Sequence, residues 1–148
     1  MVKMMDEVEI HKNYYKEILN QIKNDSFAEY LGAEIINFAA GEATVQLTVQ
    51  DYMLNAHSTV HGGLMYTLAD AAFALACNSY GKTAVGLSTT TNFMKSATVG
   101  DKITAKATEI RRNHRIGFYR IEVETNNEVI SSMEAIAYRK QQYFIDID

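Results

Sequence analysis

Asp70 is the only charged residue between His61 and Lys82, in a run dominated by Ala, Leu, Met, Phe and Gly. A carboxylate held mid-helix among apolar side chains loses hydration, which disfavours its charged form and raises its pKa. That suits a general base or a nucleophile. A structural aspartate that bonds a neighbouring loop or a partner chain has the same signature, so both readings stand on these residues alone. His61-Gly62-Gly63 opens the same stretch. Glycines at a helix start leave backbone N–H groups accessible, and the helix dipole favours negative charge there. Such amides can stabilise the oxyanion of a carbonyl turning tetrahedral, although a plain tight turn into a helix also uses Gly-Gly.

Spacing constrains how these features combine. Gly62 and Asp70 lie eight positions apart, roughly 12 Å along a helix at 1.5 Å per residue. A reacting carbon must sit about 3 Å from both its attacking group and its oxyanion donors. One copy of the helix cannot do both. If the two features form one site, Gly62 of one chain faces Asp70 of another, and a homodimer is required.

Other residues join them with less force. Asn55 could orient a carboxylate or a water, or simply shape its loop. His61 near Asp70 resembles the histidine–carboxylate pair of a hydratase or dehydratase. His57 and His61 have metal-ligand spacing, but no further ligand cluster follows, so no metal is expected. Cys77 lies on the apolar stretch without a basic neighbour and reads as an inert thiol. Arg111-Arg112-Asn113-His114-Arg115, with Lys95, is the dense basic patch of an acidic chain of net charge −4. It suits phosphate groups or a solvated strand end equally well. Tyr66, Phe73 and Tyr80 could shape an aryl pocket or simply pack.

These residues need a scaffold. The 148-residue chain, 47% hydrophobic and 22% charged, suits one domain: a helical segment 1–31, a core 32–140 and a tail 141–148. Asp6 to Lys23 reads as one amphipathic helix with Val8, Tyr15, Ile18 and Ile22 on its apolar face. Ser26 and Glu29 have capping-box spacing, predicting a short helix that ends near Gly32. Ala33 to Phe38 and the alternation of Val45, Leu47 and Val49 predict a strand pair. Residues from about 62 to 80 are apolar nearly all round, as in a buried helix without a solvent face. Strands follow in meander order at about Thr83–Met94, Lys102–Arg112, Gly117–Thr125 and Val129–Lys140. The fold class is α+β, an antiparallel sheet wrapped around a central helix, with sheet edges that want partners. The acidic balance predicts no nucleic-acid or membrane partner. A single cysteine and the absence of a leader or membrane-length run predict a cytoplasmic protein.

The stretch Leu54-Asn55-Ala56-His57 … His61-Gly62-Gly63-Leu64 … Leu68-Ala69-Asp70-Ala71-Ala72-Phe73 … Cys77-Asn78-Ser79 resembles the PaaI-like (phenylacetic acid degradation) hotdog thioesterases. The likeness continues through Thr90-Thr91-Asn92-Phe93-Met94-Lys95 and Arg115-Ile116-Gly117-Phe118-Tyr119, from about Leu31 to Arg139. Ser96 and Ile116 depart from the family, which usually has proline and often threonine there. The resemblance implies a hotdog fold in dimers that pair into homotetramers, and hydrolysis of an aryl- or acyl-CoA such as phenylacetyl-CoA, with coenzyme A as part of the substrate and no further cofactor. It implies Asp70 as the catalytic carboxylate and the Gly62 N–H as the group that polarises the thioester carbonyl. Asn55 and His61 would complete the active-site turn. Gly63, Tyr66, Thr90, Phe93, Lys95, Arg111, Arg112 and Arg115 would contact substrate or coenzyme A. Two other functions remain on the same fold: a hydratase or dehydratase, and a non-catalytic acyl-CoA-binding regulator.

Overall fold

The computed structural model describes residues 5–148; the first four residues of the expected helical segment lie outside them. Helix α1 (Glu7–Asn13) starts where the Asp6 side chain accepts from Val8 N at 3.0 Å, a capping bond that satisfies a free amide of the first turn. Helix α2 (Tyr15–Ile22) follows after Tyr14, whose φ of −116° and ψ of 25° kink the chain. The expected single helix is thus two. The kink lets Ile10 and His11 of α1 and Ile18 of α2 all face the domain, while Val8 and Tyr15, expected in the core, are exposed. Helix α3 (Ser26–Tyr30) is capped by Asp25, not Ser26. Asp25 Oδ1 accepts from both Phe27 N and Ala28 N, and a carboxylate satisfies two amides at once.

Strands β1 (Glu34–Ala39) and β2 (Glu42–Thr48) form a hairpin. Its turn needs Gly41 at φ +71°, in the left-handed region that favours glycine. Helix α4 (Gly62–Cys77) then spans 16 residues, about 24 Å. Asn78 ties its end to β3 (Lys82–Phe93): the side-chain amide donates to Ala74 O and Ala84 O while its oxygen accepts from Ala84 N. Strands β4 (Lys102–Arg112), β5 (Ile116–Thr125) and β6 (Glu128–Tyr143) complete the chain, β6 running past the expected end at Lys140.

All six strands form one antiparallel sheet in the order β1-β2-β4-β5-β6-β3. The meander holds for β4, β5 and β6 alone. Strand β3 is not beside β4 but at the far edge, because α4 crosses the concave face and delivers the chain to the opposite side. The sheet closes on α4 through small residues. Ala69, Ala72 and Ala76 of the helix, and Ala105, Ala107, Ala135 and Ala137 of the sheet, are all buried in one cluster, so backbones approach closely and dispersion contacts are dense. A single helix held by a curved antiparallel sheet is the hotdog arrangement that the resemblance implied.

One surface differs from expectation, and a second is an unpaired sheet edge. Helix α4 does have an open stripe in the single chain, since Gly63, Tyr66, Asp70 and Ala74 are exposed along one side. The edge strand β3 also presents Val85, Leu87 and Phe93 to the surface, with one row of backbone groups unpaired by the sheet.

Behind α4, Glu7 of α1 pairs with Arg139 of β6, Arg112 of β4 and Lys82 of β3. Burial works against its charge, but the Arg139 hydrogen bond and the three cations outweigh it and hold the Glu7 pKa below the usual value. The resulting stability is present above the unfolded-state carboxylate pKa and is lost as pH falls through the depressed folded value. Glu7→Gln should therefore destabilise the domain by about 1–3 kcal/mol, the range for a charged group stripped of a partner. Amide exchange in α1 should accelerate. Unchanged protection of α1 would show that its docking rests on Ile10 and His11 alone.

Candidate active site

Asp70 stands at the middle of the open stripe of α4. No hydrogen bond or ion pair engages its side chain among the described residues, so it does not serve as a strut within its own chain. Crowding by neighbouring atoms, and secondarily the negative charge of Asp25, hold its pKa above that of an ordinary aspartate. Asp25 is a residue that sequence reasoning missed. It lies 45 positions away, just before the helix start read at Ser26, so no local signal links it to Asp70.

The turn into α4 is specific about which amide it leaves open. The His61 ring folds back so that Nδ1 accepts from Gly63 N at 2.9 Å, while His61 O accepts from Leu64 N and Met65 N. No acceptor meets the Gly62 N–H among the described residues. A Cβ on Gly62 would lie 3.4 Å from the Phe93 ring, and one on Gly63 would lie 3.0 Å from His61 Nδ1. Gly62 thus offers a free amide under an aromatic wall, and Gly63 keeps room for the capping ring. A ring nitrogen that accepts must be unprotonated, so the neutral His61 carries its proton on Nε2. The cap engages Nδ1 and leaves Nε2 as the free nitrogen of the ring.

The remaining expected residues divide. Asn55 is engaged in its own loop: its oxygen accepts from His57 N and Thr59 N, and its amide donates to Thr59 Oγ1. It holds the loop that leads towards the start of α4. Tyr66, one turn before Asp70, bonds Thr89 Oγ1 through its hydroxyl at 2.8 Å, which ties α4 to β3 beside the stripe. Phe73 and Tyr80 are packed, not pocket-lining: Phe73 stacks edge-on to Tyr119 and the Tyr80 hydroxyl donates to Glu109. Burial drives the Cys77 thiol up to about 12, which keeps it a neutral thiol.

The basic cluster is split by a bulge in β4 between Glu109 and Arg111. After that irregularity Arg112 turns towards the inner face, where it pairs with Glu109 and lies 4.1 Å over the Tyr80 ring. In the single chain its guanidinium is thus engaged by Glu109, Glu7 and the Tyr80 ring. Arg111 and Arg115 are exposed, with no side-chain acceptor among the described residues. Thr90 and Arg111 line a groove of about 460 Å³ on the outer sheet face, away from α4. Lys95 is at the surface, paired with Glu128. The site in one chain therefore comprises Asp70 and Tyr66 on the open stripe and, at its far end, the Gly62 amide with Phe93.

Comparison with known proteins agrees with the fold. The model of the thioesterase superfamily matches residues 57–131. Acyl-coenzyme A thioesterase PaaI of Escherichia coli K12 is 43% identical over 101 residues, 68% of this chain and 72% of that protein. The solved structure of the Escherichia coli PaaI protein superposes with a TM-score of 0.85 at 32% identity, covering 93% of this chain and 99% of that one. The TT0310 protein of Thermus thermophilus superposes with a TM-score of 0.77 at 37% identity, covering 79% and 99%.

Proposed function

The chain belongs to the thioesterase superfamily, and on that premise we propose that it hydrolyses an aryl- or medium-chain acyl-CoA at a site shared by two copies. The observation that carries the reading is a carboxylate with raised pKa on an open helix stripe, with a free glycine amide at the start of the same helix. Asp70 in its ionised form takes a proton from water, whose oxygen adds to the thioester carbon. The displaced electron pair moves to the carbonyl oxygen and is held by the Gly62 N–H of the facing copy. Collapse of the tetrahedral species breaks the carbon–sulfur bond, and the departing thiolate takes up the proton. The alternative is direct addition of Asp70 to the carbon, giving an anhydride that water then opens. Single turnover in ¹⁸O-labelled water tests the anhydride route: label in the Asp70 carboxylate marks an anhydride opened at its aspartyl carbonyl, whereas label confined to the product acid marks addition of water at the acyl carbon.

The exposed apolar residues of β3 and the open stripe of α4 support a second copy as the cover for both. Exposed Ile110 and Phe118 on the outer face favour a further pairing of dimers into a homotetramer. Arg111, Arg115 and Lys95 supply cations for the phosphates of coenzyme A, the substrate's own carrier and the only cofactor-like group that the reaction needs. No helix among the described residues is long and apolar enough to cross a membrane, and the lone buried thiol suits the cytoplasm.

The test is release of free thiol from a panel of phenylacetyl-, hydroxyphenylacetyl- and octanoyl-CoA. The panel also gives a pH profile. Because the base must be ionised and its pKa lies above the ordinary carboxylate value, kcat/KM should fall about tenfold per pH unit below that raised value and level off above it. A profile flat down to the ordinary aspartate range would remove Asp70 from the proton-transfer step.

A further inference from the structure

A cavity of about 520 Å³ opens between α2, α3, β1 and the C-terminal half of α4, a volume in the range of small-molecule sites. Its walls are apolar: Ile22, Ala28, Ile35, Val45, Ala74 and Leu75 among them. Ala74 lies one helical turn beyond Asp70 on the same open stripe, and Ala71 follows Asp70 directly, so the cavity begins where the carboxylate ends. Asp25, on the rim, is near enough for its charge to act on Asp70. The polar groups that remain are mostly acidic. Asp25, Glu29 and Glu34 stand around the opening against Lys23 alone, and the Asn78 amide is already saturated by Ala74 and Ala84.

Taking the thioesterase reading as given, we propose that this cavity receives the acyl group of the substrate and that its acidic rim selects uncharged acyl groups over those ending in a carboxylate. The chemistry of the walls decides the orientation. The phosphates of coenzyme A would meet three carboxylates here, whereas a hydrocarbon tail gains burial against Ala, Ile, Val and Leu. The other candidate, the outer-face groove, is lined by Arg111 and Arg120 and lies on the sheet face away from Asp70. The N-terminal helices are thus the acyl-selecting wall, attached to a core that carries the chemistry.

The experiment compares kcat/KM for acetyl-, octanoyl- and adipyl-CoA. In the parent protein octanoyl-CoA should exceed adipyl-CoA by about tenfold or more, the scale of a like-charge clash at a recognition site. Ala28→Phe on α3 and Ile35→Trp on β1 fill the cavity from opposite walls, and each should lower the octanoyl-to-acetyl ratio about tenfold. Asp25→Asn keeps a capping side chain and should raise adipyl-CoA relative to octanoyl-CoA. A ratio does not depend on how much of a variant is folded. Unchanged ratios in both filled variants, or adipyl-CoA equal to octanoyl-CoA in the parent, would overturn the proposal. Failure of the thioesterase reading looks different: no thioester would be cleaved at all. The cavity is then judged by calorimetry, in which octanoyl-CoA should bind more tightly than coenzyme A, and lose that advantage in Ala28→Phe. Equal binding of the two would reject it.

Discussion

Asp70→Asn should slow thiol release by about 10²–10⁴-fold, the range that a positioned acid or base contributes, while leaving the fold intact or firmer. The two halves of this expectation have different causes. The loss of rate follows because an amide neither accepts a proton from water nor adds to a thioester at neutral pH. The stability half follows from linkage. Asp70 has no bonded partner in its chain, and crowding together with Asp25 raises its folded-state pKa. The folded chain therefore binds this proton more tightly than the unfolded chain does. Stability falls as pH rises from the unfolded-state carboxylate value through the raised folded one, and the deficit persists above that window. Asparagine removes the charge that causes it. The melting temperature at pH 7 should stay or rise, whereas below the window the two proteins should melt alike. A melt lowered at pH 7 would mark Asp70 as a strut and sink its catalytic assignment.

Gly62→Pro tests the other half of the site by removing a single hydrogen. Proline is favoured at the first position of a helix, where its missing N–H has no intrahelical partner. The preceding His61, at ψ 133°, already has the extended conformation that proline requires. The change deletes the Gly62 donor with the helix start retained, apart from a ring contact with Phe93. Loss of one oxyanion donor should lower kcat about 10²–10³-fold. The variant becomes decisive in mixtures. If the site is shared, a dimer of one Asp70→Asn chain and one Gly62→Pro chain holds one intact Asp70 facing one intact Gly62. Unfolding and refolding the two inactive proteins together at equal amounts should then restore about a quarter of parental activity by random pairing. If each chain works alone, the mixture stays as inactive as its parts.

Parts of this molecule could be read from residue order because they depend on local physics. Strand β4 runs over Lys102–Arg112 as the alternation indicates, and α4 begins at Gly62 because the glycine pair and the loss of amphipathic period coincide there. The features that residue order leaves open depend on distant partners. The order β6-β3 at the sheet edge is set by where α4 lands, which no property of Thr83–Met94 reveals. The placement of Arg112 is set by a one-residue bulge that turns it towards Glu109 and Tyr80. The kink at Tyr14 reflects burial of His11 against Phe38 and Ser79, residues far along the chain. Asp70 itself stood out early, yet Asp25 and the cavity beyond it became visible only when α3 was seen lying alongside α4.

The ion-paired anchor of α1 also sets an order of assembly. Glu7 is made first, but its partner Arg139 comes 132 residues later, and Arg112 little sooner. The N-terminal helices can complete their wall only after the last strand has joined the sheet, since contacts between remote segments require their loop to be closed first. The reverse also holds: the piece that docks last is released first. Opening of α1 to α3 should thus occur as a sub-global event on an otherwise intact β-sheet, and the exchange measurement on Glu7→Gln reads that event directly. The wall facing the acyl chain would then be a detachable part, one that can loosen to admit a bulky tail while the carboxylate and the amide stay in place.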